Sequence, residues 1–414
     1  MKIWIPRSKG EFKEHLRDPL YKNSFFIMLS SVSNAIFGFF FWMVAARLYP
    51  KSEVGVATAL ISSLSLLILF TRFGFPQSLI RFFPEMDRSR VFFTSVLITT
   101  LSAFLLGFFF ILSLDFWSPG LAIARDYAAI YLIFLAISSI SSLTAVAFIA
   151  LRKAEFDFIQ SVLMGFKILF LPLLVFLGAL GIFTSIGLAS LLSLSLSLFF
   201  LFKFGLRFSG LDRVFLNESF HFSIGNYIAG LLNSTPSLIL PILVLNILGA
   251  EEAAHYYIAY AIGVFLFIIP GAFSTSLFVE GSYGEALRIK TLKSLFGVFL
   301  LLIPGVVVIY FFAGYLLDLI GRGYIVGLDL LRYIAFSSLF AVPLHIYISI
   351  KEVQRDVKAL VSITFLLSLL LLSLSYFFMI KFGIVGVGIA WLISYGFCGL
   401  YAIIKAWREK WICW

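Results

Sequence analysis

Residues 24–46 read SFFIMLSSVSNAIFGFFFWMVAA, a run with no charged residue in it. About 20 mostly apolar residues in a helix cross the hydrocarbon core of a bilayer. The run is therefore predicted to be a membrane-spanning helix, and the fold follows from how often the chain repeats it. Working outward, apolar runs separated by short charged or Pro/Gly-bearing breaks give further spans at 54–80, 91–113, 127–150, 158–178 and 183–202. A second set lies at 219–247, 254–279, 294–316, 330–350, 359–380 and 384–404.

Composition agrees with this pattern. The 414 residues are 61% apolar and 13% charged, with a mean hydropathy of +1.06. A soluble domain is closer to half apolar and a quarter charged. Twelve spans need roughly 240 apolar residues, and 61% of the chain supplies about that many. Little remains for a soluble domain. The expected fold is an all-α polytopic membrane protein with about twelve transmembrane helices.

The net charge of +10 would suggest nucleic acid in a soluble protein. Here it reads as orientation, because cytoplasmic loops collect Lys and Arg. With the N-terminus inside, the inner segments hold 23 basic residues and the outer ones five (Arg47, Lys51, Arg125, Arg322 and Lys381). Both ends are thus expected in the cytoplasm, and no nucleic acid partner is implied. Met1 to Lys22 is polar and basic, and the run after it is long enough to stay in the membrane as span one. Cys398 falls inside a span and Cys413 at the C-terminus, which suggests neither a disulfide framework nor a metal site.

The chain also repeats. Residues 152–157 (RKAEFD) align with 351–356 (KEVQRD) at an offset of 199, which also places Glu53 on Glu252. Residues 186–192 (IGLASLL) align with 387–393 (VGIAWLI) at 201. Six spans per half is even, so both halves insert in the same direction, as a parallel repeat. The expected organisation is a basic N-terminus at 1–23, a six-helix lobe at 24–202 and a cytoplasmic linker at 203–218. A second lobe follows at 219–404 and a cytoplasmic C-terminus at 405–414.

Two such lobes commonly enclose a cavity that opens alternately to each side. Bilayer enzymes carry clustered acids, histidines or a large outer loop. This chain has four histidines (His15, His221, His255 and His345), none spaced as ligands, and only short outer connections. Transport is favoured over chemistry, with no metal or cofactor implied. His255 is expected at the outer surface.

Candidate functional residues fall in two groups. Span one carries Ser30, Asn34, Gly38 and Ala45 at helical spacing; span seven carries Ser223, Asn226, Gly230, Asn233 and Ser237. The offset puts Asn34 on Asn233. Small and polar stripes let membrane helices pack closely, and they equally line water-filled grooves; both readings stand. The second group is charged. Arg72 falls deep in span two, and Lys167 near the middle of span five on one face with Gln160. A buried Arg or Lys costs about 2.5–3.5 kcal/mol to insert even on mild scales. Neither has an acid within one helical turn, so each needs a distant partner, water or an anionic ligand. At the equivalent places the second half carries Asn246 for Arg47, Gly271 for Arg72, Glu280 for Arg81 and Leu366 for Lys167. Charge kept in one half suggests an anion-binding surface there, formed by Arg47, Arg72 and Lys167. Arg81 and Glu280 form a candidate cytoplasmic gate. Gly74 and Pro76, Pro236 and Pro241, Pro270 and Gly271, and Pro343 are expected to interrupt spans two, seven, eight and ten.

Residues 46–57 (ARLYPKSEVGVA) resemble the junction of spans one and two in polysaccharide-biosynthesis flippases of the multidrug/oligosaccharidyl-lipid/polysaccharide (MOP) exporter superfamily. Residues 73–85 (FGFPQSLIRFFPE) look like the end of their second span. The resemblance implies a V-shaped, MATE-like pair of bundles in the cell membrane, with spans one, two, seven and eight lining a cavity. The implied substrate is an isoprenoid-phosphate- or pyrophosphate-linked oligosaccharide moved from inner to outer leaflet. Glycan-assembly enzymes and membrane lipids are the implied partners. Arg72 and Lys167 would meet the phosphate, and Asn34, Asn226 and Asn233 the sugar hydroxyls. A cation-driven member would carry an acid in the core of span one or seven; both lack one, so transport is expected to follow membrane potential or substrate supply more than a dedicated internal acid. A drug/cation antiporter of the same superfamily and a major-facilitator-type solute carrier remain alternatives.

Overall fold

The computed structural model describes residues 19–282, 287–354 and 356–409. They are helical, and no strand occurs among the described residues. Ten helices are long and apolar enough to cross a membrane, and the bent pair Ala250–Gly263 with Phe265–Phe278 makes a further broken span. The longest helix, Val357–Arg408, contains non-helical Gly383 (φ 59°, ψ −145°). That residue divides it into the two spans expected at 359–380 and 384–404, which makes about twelve spans.

The described chain packs as two units. One comprises the described residues up to 48 together with 67–117 and 122–224; the other comprises 49–66, 118–121 and those from 225 onward. Span two is thus divided: its beginning packs with the second half of the chain and its end with the first. Gly55 explains the former, because a side chain there would overlap the backbone carbonyl of Ala250, at the start of span eight. Lys51 Nζ donates to the carbonyl oxygen of Gly323 at 3.4 Å, and Ser118 Oγ donates to Asn246 Oδ1 at 2.7 Å. Such close crossings depend on small residues because lipid tails leave helices no hydrophobic gain from pairing.

The core of the first unit is aromatic: Phe75, Phe92, Phe148 and Phe215 are all fully buried, with Phe75 stacked on Phe215 at 6.1 Å. In the second unit Leu344, Tyr347, Ile363, Leu367 and Cys398 form a core cluster. Cys398 is a buried free thiol; Cys413 lies outside the described residues.

Several helix breaks depart from expectation. Span two breaks as its glycine and proline suggest, between Lys51–Thr71 and Phe75–Phe82. However, Pro236 and Pro241 lie inside the unbroken helix Arg213–Leu248. Pro270 lies inside Phe265–Ser282, and Pro343 inside Leu328–Val353. Span eight bends instead between Gly263 and Phe265, by 40°. Proline at 236 leaves the carbonyl of Leu232 without its helical donor, and the hydroxyl of Ser368, in span eleven, donates to that oxygen. A neighbouring hydroxyl of this kind makes proline tolerable within a span.

Candidate functional site: the seam of spans one and five

Spans one and five of the first unit meet along a matched ladder. From span one come Ser30, Asn34, Phe37 and Phe41, at i, i+4, i+7 and i+11; from span five come Asp157, Ser161, Gly165 and Lys167. Asp157 is buried against Ser30. Asn34 Nδ2 donates to Ser161 Oγ at 3.1 Å. A side chain at Gly165 would strike the ring of Phe37 at 2.9 Å, and Lys167 Nζ stands 5.1 Å from the centre of the Phe41 ring. The end of the seam nearest Pro19 is tied by Lys22 Nζ to Glu155 Oε1 at 2.6 Å. The amide N–H of Ala154 also donates to Asn23 Oδ1 at 3.2 Å.

Lys167 is not in the middle of a continuous helix. Span five breaks at Gly165 and Phe166, and Lys167 begins its second piece, Lys167–Leu173. The break also separates Lys167 from Gln160, contrary to the single face expected of them. Gln160 turns instead to spans four and six. Its Nε2 donates to Ser141 O (2.7 Å) and Oγ (2.9 Å), and its Oε1 accepts from Thr144 (3.2 Å) and Ser197 (3.1 Å). Gln160 is fully satisfied and structural. Lys167 is half-buried, and no carboxylate lies within salt-bridge distance of it among the described residues. A cation over an aromatic ring gains about 0.5–2 kcal/mol, less than the roughly 2.5–3.5 kcal/mol of inserting it. The ring contact alone does not offset that cost.

Arg72 likewise lies at a break rather than deep within a helix. It opens the turn 72–74, where its carbonyl accepts from Phe75 N at 2.8 Å. Phe73 adopts φ 43° and Gly74 φ 78°. A positive φ on a phenylalanine is strained by about 1–3 kcal/mol and persists only where its surroundings fix it; Phe73 packs on Phe220, ring centres 6.3 Å apart.

The remaining candidates lie in both units. Arg47 is exposed at the end of Pro19–Leu48. Arg81 pairs with Glu85 at 2.9 Å on its own helix. Asn233 is exposed. The side chains of Asn226, Ser223 and Glu280 lie outside the described residues. Of the span-one stripe, Ser30 and Ala45 are buried, whereas Asn34 is exposed while its amide donates to Ser161 of span five. Gly38 and Gly230 face open space. His255 is a correction: it is buried at 4% exposure, with Nδ1 3.6 Å from Glu252 Oε1 and its ring edge-on to Tyr324.

Asp157 is the residue that the sequence reading missed. Its neighbours Arg152 and Lys153 place it with an inner loop, yet it lies in the first turn of Ala154–Met164 and is 8% exposed. Its spacing to Gln160 and Ser161, i+3 and i+4, was the available signal. Spans one and seven still lack a core acid; span five carries a buried one in its first turn. Asp157→Asn keeps the shape and removes the charge. It should leave the melting temperature in detergent within a few degrees of wild type while abolishing any dependence of transport on a proton or sodium gradient. Unchanged gradient dependence would exclude Asp157 from coupling.

The fold is shared with solved transporters of the MOP superfamily. The chain is similar to the inward-facing conformation of a multidrug resistance MATE family transporter of that superfamily, with TM-score 0.75 and 15% identity over 92% of this chain and 96% of that one. An outward-facing conformation of a transporter so described gives 0.66 and 16%, over 98% of each chain. A MOP superfamily transporter from Pyrococcus furiosus gives 0.63 and 14%, over 98% and 99%. No curated protein matches the chain. Residues 20–278 match the model of the polysaccharide biosynthesis protein family, and the chain belongs to that family.

Proposed function

We propose that the protein is a flippase. It carries an oligosaccharide linked to an isoprenoid phosphate or pyrophosphate from the inner to the outer leaflet of the cell membrane by alternating access, with both termini cytoplasmic. The observation that carries this reading is Lys167, a cation inside a span, at a helix break, without a carboxylate partner among the described residues. A phosphate supplies the missing charge. Arg72, at the second break in the same unit, adds a planar donor suited to phosphate oxygens. Membership of the polysaccharide biosynthesis family supports a glycan as the cargo, and the excess of basic residues at inner segments supports the orientation. Likeness to both inward- and outward-facing conformations of a MATE transporter is consistent with alternating access.

Asp157 favours a second reading, a cation-coupled antiporter of the same superfamily, since a buried carboxyl suits ion exchange as well as structure. Proteoliposomes separate the two. Vesicles carrying a fluorescent lipid-linked glycan should show protein-dependent loss of label from one leaflet, tested under a potential, a proton gradient and a sodium gradient in turn. No flipping under any of the three, alongside gradient-driven uptake of a cationic dye, would replace the flippase by the antiporter.

A further inference from the structure

The second unit holds a cleft that the transport reading leaves unused. It lies where Leu287–Ile320 begins and where Leu328–Val353 and Val357–Arg408 end, so all three helices contribute ends from one side of the membrane. The cleft measures about 200 Å³. Leu295, Phe299 and Ile346 form its walls, and Ala402 and Ala406, one turn apart, leave the space open. An apolar cavity of roughly 150 Å³ stays dry and accepts an apolar guest, so water is a poor occupant.

One rim is different. Tyr347 lines the cleft, and the ring of Tyr401 meets it edge-on at 6.4 Å. A lysine stands by each ring: Lys351 is 5.7 Å from the centre of Tyr347, and Lys405 is 5.8 Å from that of Tyr401. Lys351 is neutralised by Glu409 at 2.8 Å and Asp356 at 3.5 Å. Lys405 and Arg408 have no carboxylate within salt-bridge distance among the described residues. Tyrosine and lysine together mark the level of lipid head groups, and the uncompensated Lys405 there, with Arg408 three residues further along the same helix, selects for negative charge.

We infer that this cleft binds an anionic glycerophospholipid, with part of one acyl chain between the three helices and its phosphate at Lys405 and Arg408. A space near 200 Å³ holds a short stretch of hydrocarbon, and competition with a polyprenyl phosphate separates a bilayer lipid from the tail of the cargo. The inference stands whether or not the flippase reading does.

The test uses full-length protein in detergent with phosphatidylglycerol bearing a photoreactive group in its acyl chain. Peptides containing Leu295, Phe299 or Ile346 should be labelled. Phosphatidylcholine with the same chain should label them less, by about fivefold for each basic residue engaged. Ala402→Phe fills the cleft and should remove the labelling. Lys405→Gln with Arg408→Gln needs no repacking and should remove the preference for phosphatidylglycerol while leaving the labelling by both lipids. Equal labelling of the wild type by the two lipids would show annular lipid only and overturn the site. Unchanged labelling in a monodisperse Ala402→Phe protein would do the same. So would efficient displacement of the probe by a polyprenyl phosphate but not by phosphatidylglycerol, or labelling that appears only once residues 410–414 are deleted.

Discussion

Combining Lys167→Ala with Arg72→Ala should abolish export of the surface glycan while leaving the protein inserted and abundant. Each substitution removes a charge that costs about 2.5–3.5 kcal/mol to place in the membrane, so loss of the protein is not expected. On the proposed reading, what is removed is a charged hydrogen bond to the phosphate, worth about 1.5–3 kcal/mol. Each single variant should therefore transport about ten- to a hundredfold more slowly. Lys167→Arg keeps the charge and should retain most of the rate. Gly271→Arg puts a guanidinium at the equivalent place in the second half, where an added Cβ meets nothing within 4 Å; it should not rescue the double variant. Glycan at the cell surface, quantified by lectin binding and normalised to protein abundance, checks all four. Normal export by the double variant would overturn the proposed anion site.

Gly55→Leu should release the start of span two from the second unit. The obstacle is the backbone carbonyl of Ala250, with Ala254 N behind it at 3.1 Å. Neither can repack as a side chain does, so the cost should exceed the about 1–3 kcal/mol typical of overpacking a core. Ala57 is fully buried. A cysteine introduced there should react slowly with a water-soluble thiol reagent in the parent, and at least several-fold faster when combined with Gly55→Leu. Lys51→Ala loses only a 3.4 Å hydrogen bond to Gly323 and should shift the rate slightly in the same direction. Equal reactivity at position 57 with and without the Gly55 substitution would mean that this crossing does not hold the segment.

Segment identity is legible in the residues themselves. Span one reads at 24–46 and forms within the helix Pro19–Leu48, because whether about 20 residues enter a bilayer depends on their own transfer free energy. The short break at Lys381, Phe382 and Gly383, between apolar runs at 359–380 and 384–404, is likewise enough to mark two spans where the helix runs on to Arg408. Membership of the polysaccharide biosynthesis family is legible in the junction at 46–57, and the charge at 72 and 167 in its contrast with the second half.

What stays hidden depends on partners distant along the chain. Pro236 breaks a helix by its own chemistry, yet the helix continues because Ser368 satisfies the carbonyl of Leu232. Asp157 follows two basic residues and reads as a loop acid, but packing against Ser30 buries it. Gln160 and Lys167 share a face only if span five is unbroken, and Phe37 pressing on Gly165 lies at the break that separates them. Gly55 is one glycine among 30, and its close approach to the backbone of Ala250, within the unit that holds the start of span two, is not written in the residue itself. Solvent preference is a property of each segment alone and is written in the sequence. Pairing is a property of two segments at once, and only the folded chain decides it.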